Sequence, residues 1–260
     1  MMHKLPSLLL AGGLLLLASA AQAQVTFSMG PRLGLNVSSA PFKDDQHTYD
    51  TGSRLGAEAG FAFDLNFGHF ALQPALLYSQ KGFTINQTYT TTYTSASYVE
   101  TTRTMLDEEY RLNYVTIPLN FAYALRADGQ GLQLFAGPYF GLLLGGNFKY
   151  SDRQEATSQN VVVRSFADSG SGNVVGGDYY SPGSANTKFY SRSKDAGLQF
   201  GLGYRKRSFL LQAGYSMGLR DLGADLQISN GIAGPSTING PTYYNRAFQL
   251  SLAYLLGPKG

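Results

Sequence analysis

The chain contains no cysteine and no tryptophan, only three histidines, and few charges: Asp, Glu, Lys and Arg together make 14% of its 260 residues. Without cysteine there is no disulfide framework, and no thiol near the N-terminus to take a lipid anchor. A charged fraction well below the roughly 25% of ordinary soluble domains argues against a surface bathed wholly in water. The net charge of +3 gives no reason to expect nucleic acid as a partner. Long apolar runs are scarce as well. Residues 8–18 (LLLAGGLLLLA) are too few to cross a bilayer as a helix, which takes about 20, and nothing later approaches that length, so a helical membrane protein is excluded. Preceded by Lys4 and followed by Ala21-Gln22-Ala23, the run reads as the core of a secretory signal peptide. Residues 1–23 are therefore expected to be that signal, and residues 24–260 one domain.

Glycine (31 residues) and tyrosine (18 residues) are abundant, and they fall in segments that alternate with period two. Across residues 209–220, Phe209, Leu211, Ala213, Tyr215, Met217 and Leu219 interleave with Gln212, Gly214, Ser216, Gly218 and Arg220. Side chains that share a face at every second position make a strand with one apolar side. Residues 25–38, 55–67, 195–204 and 247–256 repeat the pattern. Residues 70–78, 115–125 and 132–144 follow it less cleanly, because Leu77, Phe135 and Leu143 stand on the polar face. Pro74, Pro118 and Pro138 also fall inside those three segments, where a missing N–H interrupts a ladder unless a bulge or bend absorbs it.

The links alternate in length. Those after the second, fourth and sixth segments are short: Gly68-His69, residues 127–130 with the turn-forming Asp128-Gly129, and residues 205–208. Those after the first, third, fifth and seventh are long. This spacing predicts an all-β fold: an eight-stranded antiparallel up-and-down transmembrane β-barrel with short periplasmic turns, long extracellular loops and both termini in the periplasm.

Alternation alone does not say which stripe faces outward, since a soluble barrel would carry the same period with its faces reversed. Chemistry decides. The polar stripe is rich in Gly, Ser, Ala and Gln and poor in Lys and Glu, which suits the cramped interior of eight strands better than open water. The apolar stripe carries no charge, as acyl chains require when an Arg or Lys at mid-depth costs about 2–4 kcal/mol. Outer-membrane lipid is thus the expected partner of that stripe. Phe27, Phe67, Phe70, Tyr123, Tyr204, Phe209 and Tyr254 lie on it near the short turns, where an interfacial aromatic belt belongs.

The motif stretches resemble a known family, the PorT-like outer-membrane β-barrels of Bacteroidetes. The resemblance rests on PRLGLN (31–36), FALQPALLYSQKGF (70–83), NYVTIPLNFAYAL (113–125), LFAGPYFGLLLGG (134–146), KDAGLQFGLGY (194–204), YSMGLRDL (215–222) and NRAFQLSLAYLLG (245–257). It implies an outer-membrane barrel, prolines retained inside strands, and for most members no established activity. The founding member's tie to protein secretion and surface sorting makes an accessory role of that kind an alternative.

Catalysis finds little support. His3 belongs to the signal, His69 to a short turn, and His47 stands beside Asp44 and Asp45 in the first long loop with no second His or Cys to complete a metal site. No catalytic residue, metal or cofactor is expected. The interior is more informative. Setting Val37 opposite Leu55 puts Arg32 opposite Gly60 and diagonal to Glu58, both pointing inward. Arg32 and Glu58 are therefore expected to pair inside the barrel and close it, with Asp64, Gln133 and Gln199 extending the polar network. A narrow pore for small solutes is the competing expectation. Of the loops, 88–104 alternates Thr with Tyr and is strongly β-prone, so strands three and four should project above the membrane as a hairpin whose edges could meet envelope or extracellular proteins. Residues 151–192 are rich in Gly, Ser and Asn and read largely as loop, although Val161-Val162-Val163 is β-prone and a strand pair there would bring the count to ten.

Overall fold

A computed structural model describes residues 25–44, 48–96, 98–181, 188–229 and 235–257. The expected signal peptide, together with Asp45 and His47, lies outside the described residues. Eight strands pair antiparallel in a closed ring: β1 (Thr26–Ser39), β2 (Thr51–Phe67), β3 (Phe70–Ser95), β4 (Tyr98–Ala124), β5 (Gly131–Ser158), β6 (Lys194–Lys206), β7 (Phe209–Gly218) and β8 (Arg246–Tyr254). Each bonds to the next, and β8 bonds back to β1 through pairs such as Leu35↔Leu250, so the ring leaves no free edge within the wall. The first hairpin adopts the register set by its hydrophobic pattern, with Val37 opposite Leu55 and Arg32 opposite Gly60.

The direction of the stripes follows the chemistry. Leu211 (47% exposed), Phe200 (53%) and Leu250 (54%) stand on the outer surface, whereas Gln212 (4%) and Gln199 (5%) are enclosed. Gln249 is half-buried. Near the short turns the outer face carries Phe27, Phe70, Tyr123, Tyr204, Phe209 and Tyr254, with Phe70 against Tyr123 at 5.3 Å and Phe209 against Tyr254 at 5.0 Å.

The exceptions to the pattern have a packing cause. Leu77, Phe135 and Leu143 are buried inside the ring. Phe135 is opposite Gly201, and a Cβ built on Gly201 or Gly214 would come within 2.7 or 2.9 Å of its Cζ. Two glycines on neighbouring strands thus make room for one inward ring in a lumen only wide enough for side chains. Of the bulge or bend expected at the prolines, no bulge forms at the ladders of Pro74 and Pro118. Pairing stops after Pro74↔Leu119 and resumes in the same register at Leu77↔Thr116; it stops after Pro118↔Tyr139 and resumes in register at Phe121↔Ala136. Each ladder opens locally where an N–H is missing and does not shift.

The projecting hairpin expected over 88–104 is present, and most of the loop expected over 151–192 is strand. β3 and β4 run far past Tyr78 and Val115 and stay paired up to Ser95↔Tyr98, because the Thr/Tyr run favours extended backbone on both sides of a tight turn. β5 likewise continues to Ser158 and turns at Gln159 and Asn160, whose φ values of 50° and 62° are those of a two-residue hairpin turn. The returning strand, Val161–Gly176, pairs with β5 from Ser158↔Val161 to Gly146↔Val174. This corrects the loop expected over 151–192: the strand there does form, but it lies beside the ring and does not enter it. Lys188–Ser191 adds to it in parallel through Asn173 to Gly176. Two small three-stranded sheets, Phe42–Lys43 with Thr48–Tyr49 and Thr242–Tyr243, and Asp225–Ser229 with Pro235–Ile238 and Tyr179–Tyr180, gather the remaining loop segments at the same end.

Candidate functional site

The lumen is filled by polar side chains that the inward stripe supplies from nearly every strand. Nearest the short turns, Arg205 pairs with Asp64 and donates from Nη2 to Ser28 Oγ at 3.0 Å. Asp64 also accepts from Gln73 Nε2 at 2.9 Å, and the same nitrogen reaches Gln133 Oε1 at 3.0 Å. Gln133 donates in turn to the carbonyl of Gly129 at 2.9 Å, tying the network to the second short turn. Gln212 donates to Gln73 at 2.9 Å and accepts from Arg32 at 3.0 Å, while Arg32 Nη2 lies 3.2 Å from Glu58 Oε1. One continuous chain of contacts therefore joins Glu58, Arg32, Gln212, Gln73, Asp64, Gln133 and Arg205.

Of the five residues singled out from sequence, the structure brings Arg32, Glu58, Asp64 and Gln133 into that chain. Gln199 stands apart, donating to Asn120 Oδ1 at 2.6 Å on the far side of Phe135. Gln73, Gln212 and Arg205 complete the network, and period two alone could have named them, since each sits on the inward stripe beside a carboxylate or amide.

A second buried cluster lies toward the loops. Lys81 Nζ is 3.3 Å from Asp195 Oδ2, and both side chains are almost wholly enclosed. Asp195 also accepts from Tyr139 OH at 3.3 Å and from Asn245 Nδ2 at 2.9 Å, and the Lys81 ammonium sits 4.6 Å from the centre of the Tyr139 ring and 5.4 Å from that of Tyr114. The sequence pattern misses Lys81 because it ends the third strand at Tyr78; continuing the period through Ser79, Lys81, Phe83 and Ile85 finds it. Above this cluster Phe42, Phe83, Tyr110, Phe148, Phe189 and Tyr243 pack ring against ring, for example Phe83 on Tyr110 at 4.7 Å and Phe42 on Tyr243 at 5.6 Å. Tyr243 OH donates to Ser191 Oγ at 2.6 Å, and Arg192 binds Asp221 and Asp225 at 3.2 and 2.9 Å, so loops on both sides hold the aromatic layer in place.

This arrangement balances charge. Each of three enclosed cations, Arg32, Arg205 and Lys81, meets one enclosed carboxylate, which is how an interior tolerates charge. Among the described residues no set of His, Asp and Glu is placed to hold a metal ion. His69 packs on Tyr123 at 5.7 Å and donates from Nδ1 to the Ala124 carbonyl at 2.9 Å, a structural use. Asp44, expected beside His47, accepts from Tyr49 OH at 2.9 Å. Outside the ring, on the projecting sheet, burial raises the Glu108 carboxyl above its ordinary value, and burial together with the facing Asp168 raises that of Asp152.

A closed ring of strands, apolar outside and ion-paired within, is the signature of an outer-membrane β-barrel. The sequence profile of the family described as outer membrane protein beta-barrel domain matches residues 21–223, and the chain belongs to that family and to the bacterial outer membrane. Solved structures of similar shape include Ail, the attachment invasion locus protein of Yersinia pestis, in complex with the heparin analogue sucrose octasulfate: 11% identity, TM-score 0.38, covering 88% of this chain and 99% of that one. Neisserial surface protein A is another, at 11% identity and TM-score 0.34 over 86% of this chain and 96% of that one. Among curated proteins no match was found.

Proposed function

We propose that residues 1–23 are a signal peptide and that residues 24–260 form an eight-stranded up-and-down barrel of the outer membrane. In this reading the short turns and both termini are periplasmic, the projecting sheet is extracellular, and the barrel serves a structural or interaction role without catalysis. One observation carries it. The lumen is filled from end to end by compensated ion pairs and an aromatic layer, while β3, β4 and β5 continue well beyond the apolar band. A filled lumen moves nothing, so the surface left for function is the part outside the membrane. Lipid contacts the outer stripe, and envelope or extracellular proteins contact the sheet.

Conductance in planar bilayers tests the closure. The wild-type chain should hold no steady open state, and Glu58→Ala, which frees Arg32 to move, should raise single-channel conductance. Unchanged conductance with unchanged stability would remove Arg32 and Glu58 as a plug, and steady wild-type conductance would favour a narrow pore. The stretches shared with PorT-like barrels favour a second reading, an accessory part in protein secretion or surface sorting. A deletion strain that secretes and sorts normally would rule that out.

A further inference from the structure

The ring has no open edge, but the projecting sheet has one. Val161–Gly176 bonds to β5 along its inner side, and on its outer side Lys188–Ser191 reaches only Asn173 to Gly176. Residues 161–172 therefore present an unpaired row of N–H and C=O groups among the described residues. The side chains there are apolar and open: Val161, Val162, Val163 and Phe166 are each more than half exposed. Natural sheets usually blunt such edges with lysine, proline or a covering loop. Here the exposed charges are Arg164 and Asp168, and their spacing is informative.

We propose that this edge is a homophilic adhesive strand: it pairs antiparallel, about a two-fold axis through Phe166, with the same strand of a second copy on a facing membrane. The proposal rests on the reading that the projecting sheet is extracellular. With Phe166 opposite Phe166, Arg164 of each copy falls opposite Asp168 of the other, both within the stretch of this strand that runs in unbroken register. Residues 164, 166, 168 and 170 share one face of the strand, beyond the bulge at Val163, so both Arg–Asp pairs and the aromatic contact form on the same side. Arg164 has donors to spare: its Nη2 already meets Glu100 at 2.9 Å, yet the side chain is 70% exposed, and a guanidinium offers five N–H groups.

Geometry selects a facing membrane over the same one. Copies in one membrane all point the same way, and a two-fold axis along the membrane normal sets this strand beside its mate in parallel with like groups opposed, which forms no ladder. An antiparallel pair has its two-fold axis across the strands, which only oppositely directed copies satisfy. The reach is sufficient. Phe166 is paired with Gln154, about ten residues or roughly 34 Å of strand beyond Leu144, the last large apolar residue on the outer face of β5. The turn at Gln159 and Asn160 extends only about five residues further, roughly 17 Å, so each tip clears the opposing barrel.

The full-length barrel reconstituted into two differently labelled vesicle populations provides the test, read as the rate of vesicle clustering. Wild-type vesicles should cluster. Arg164→Asp alone and Asp168→Arg alone should each slow clustering about tenfold or more, because both cross-strand pairs become like charges. Mixing Arg164→Asp vesicles with Asp168→Arg vesicles should restore it, as should the double variant, since both recreate opposite charges in the same register. Wild-type vesicles that do not cluster, or a mixture that stays as slow as either variant alone, would overturn the proposal. Orientation is read separately: Gln159→Cys, the sole thiol in the chain, should react with a membrane-impermeant maleimide on intact cells. Labelling without clustering removes only the homophilic strand, whereas failure to label removes the extracellular reading on which it stands.

Discussion

The buried Lys81–Asp195 pair permits a quantitative test of how dry the upper lumen is. At 3.3 Å, and with an effective dielectric of about 20, the attraction is about 5 kcal/mol, which offsets the desolvation of two enclosed charges only while both are present. Lys81→Met keeps the volume and deletes the cation. Asp195 then retains Tyr139 and Asn245 as donors, so the loss should lie near the lower end of the 3–5 kcal/mol typical for a broken buried pair, about 3 kcal/mol. Asp195→Asn leaves Lys81 with little beyond the faces of Tyr139 and Tyr114 and should cost about 4 kcal/mol. The double variant Lys81→Met/Asp195→Asn leaves no unpaired charge and should recover to within about 1 kcal/mol of wild type. Urea unfolding in lipid or detergent, followed by far-ultraviolet circular dichroism because the chain has no tryptophan, yields all four corners of the cycle. If the two single losses simply add in the double variant, the pair is not an enclosed, mutually compensating unit and the description of the upper lumen fails.

Two further outcomes follow from the packing and the titration of exposed groups. Gly214→Ala should cost about 1–2 kcal/mol because its methyl meets the far end of the Phe135 ring, and Phe135→Leu should relieve much of that; Gly201→Ala should not be relieved in the same way, because its methyl also runs into the Ala213 carbonyl oxygen. Equal rescue at both positions would contradict this division of space between ring and backbone. On the projecting sheet, Asp152 has its carboxyl raised by burial and by Asp168, so the folded sheet holds the proton more tightly than the unfolded chain does. Protonation therefore favours the folded sheet, and stability is lost as pH rises through the folded value. The amide-exchange protection of residues 149–172, taken relative to the intrinsic exchange rate at each pH, should rise on acidification from neutral pH into the upper carboxylate range, and Asp152→Asn should flatten that rise.

The fold and the lower network are legible in the sequence because period two fixes register. Once Val37 faces Leu55, Arg32 and Glu58 must share the inward face, and the residues facing them follow by counting. The upper half is not legible for the opposite reason. The pattern places strand ends where the apolar outer stripe gives way to polar residues, yet β3, β4 and β5 do not end where the lipid does. Outside the membrane both faces meet water, the alternation fades, and only β propensity and the Gln159-Asn160 turn mark the strand. Lys81 is lost with that boundary. Phe135 looks like an error in the pattern because the glycines that make room for it, Gly201 and Gly214, lie more than 60 residues on in sequence, where a one-dimensional reading sees no vacancy for a large side chain.

The same continuity explains how a barrel with a filled lumen can present a surface for recognition. β3, β4 and β5 are 26, 27 and 28 residues long; β3 and β4 carry one register from the ring into the projecting sheet, and β4 and β5 stay paired into it across a single bulge at Leu144. A loop ordered on binding loses conformational freedom at that moment, whereas a sheet held by strands already fixed in the wall has lost it during folding. The ion pairs and aromatic layer brace that wall from within, so the edge at 161–172 is held at a set height and angle. Cutting the bracing without unfolding the ring, as in Lys81→Met, should therefore weaken edge-dependent clustering even though Lys81 lies inside the barrel and touches no residue of the edge.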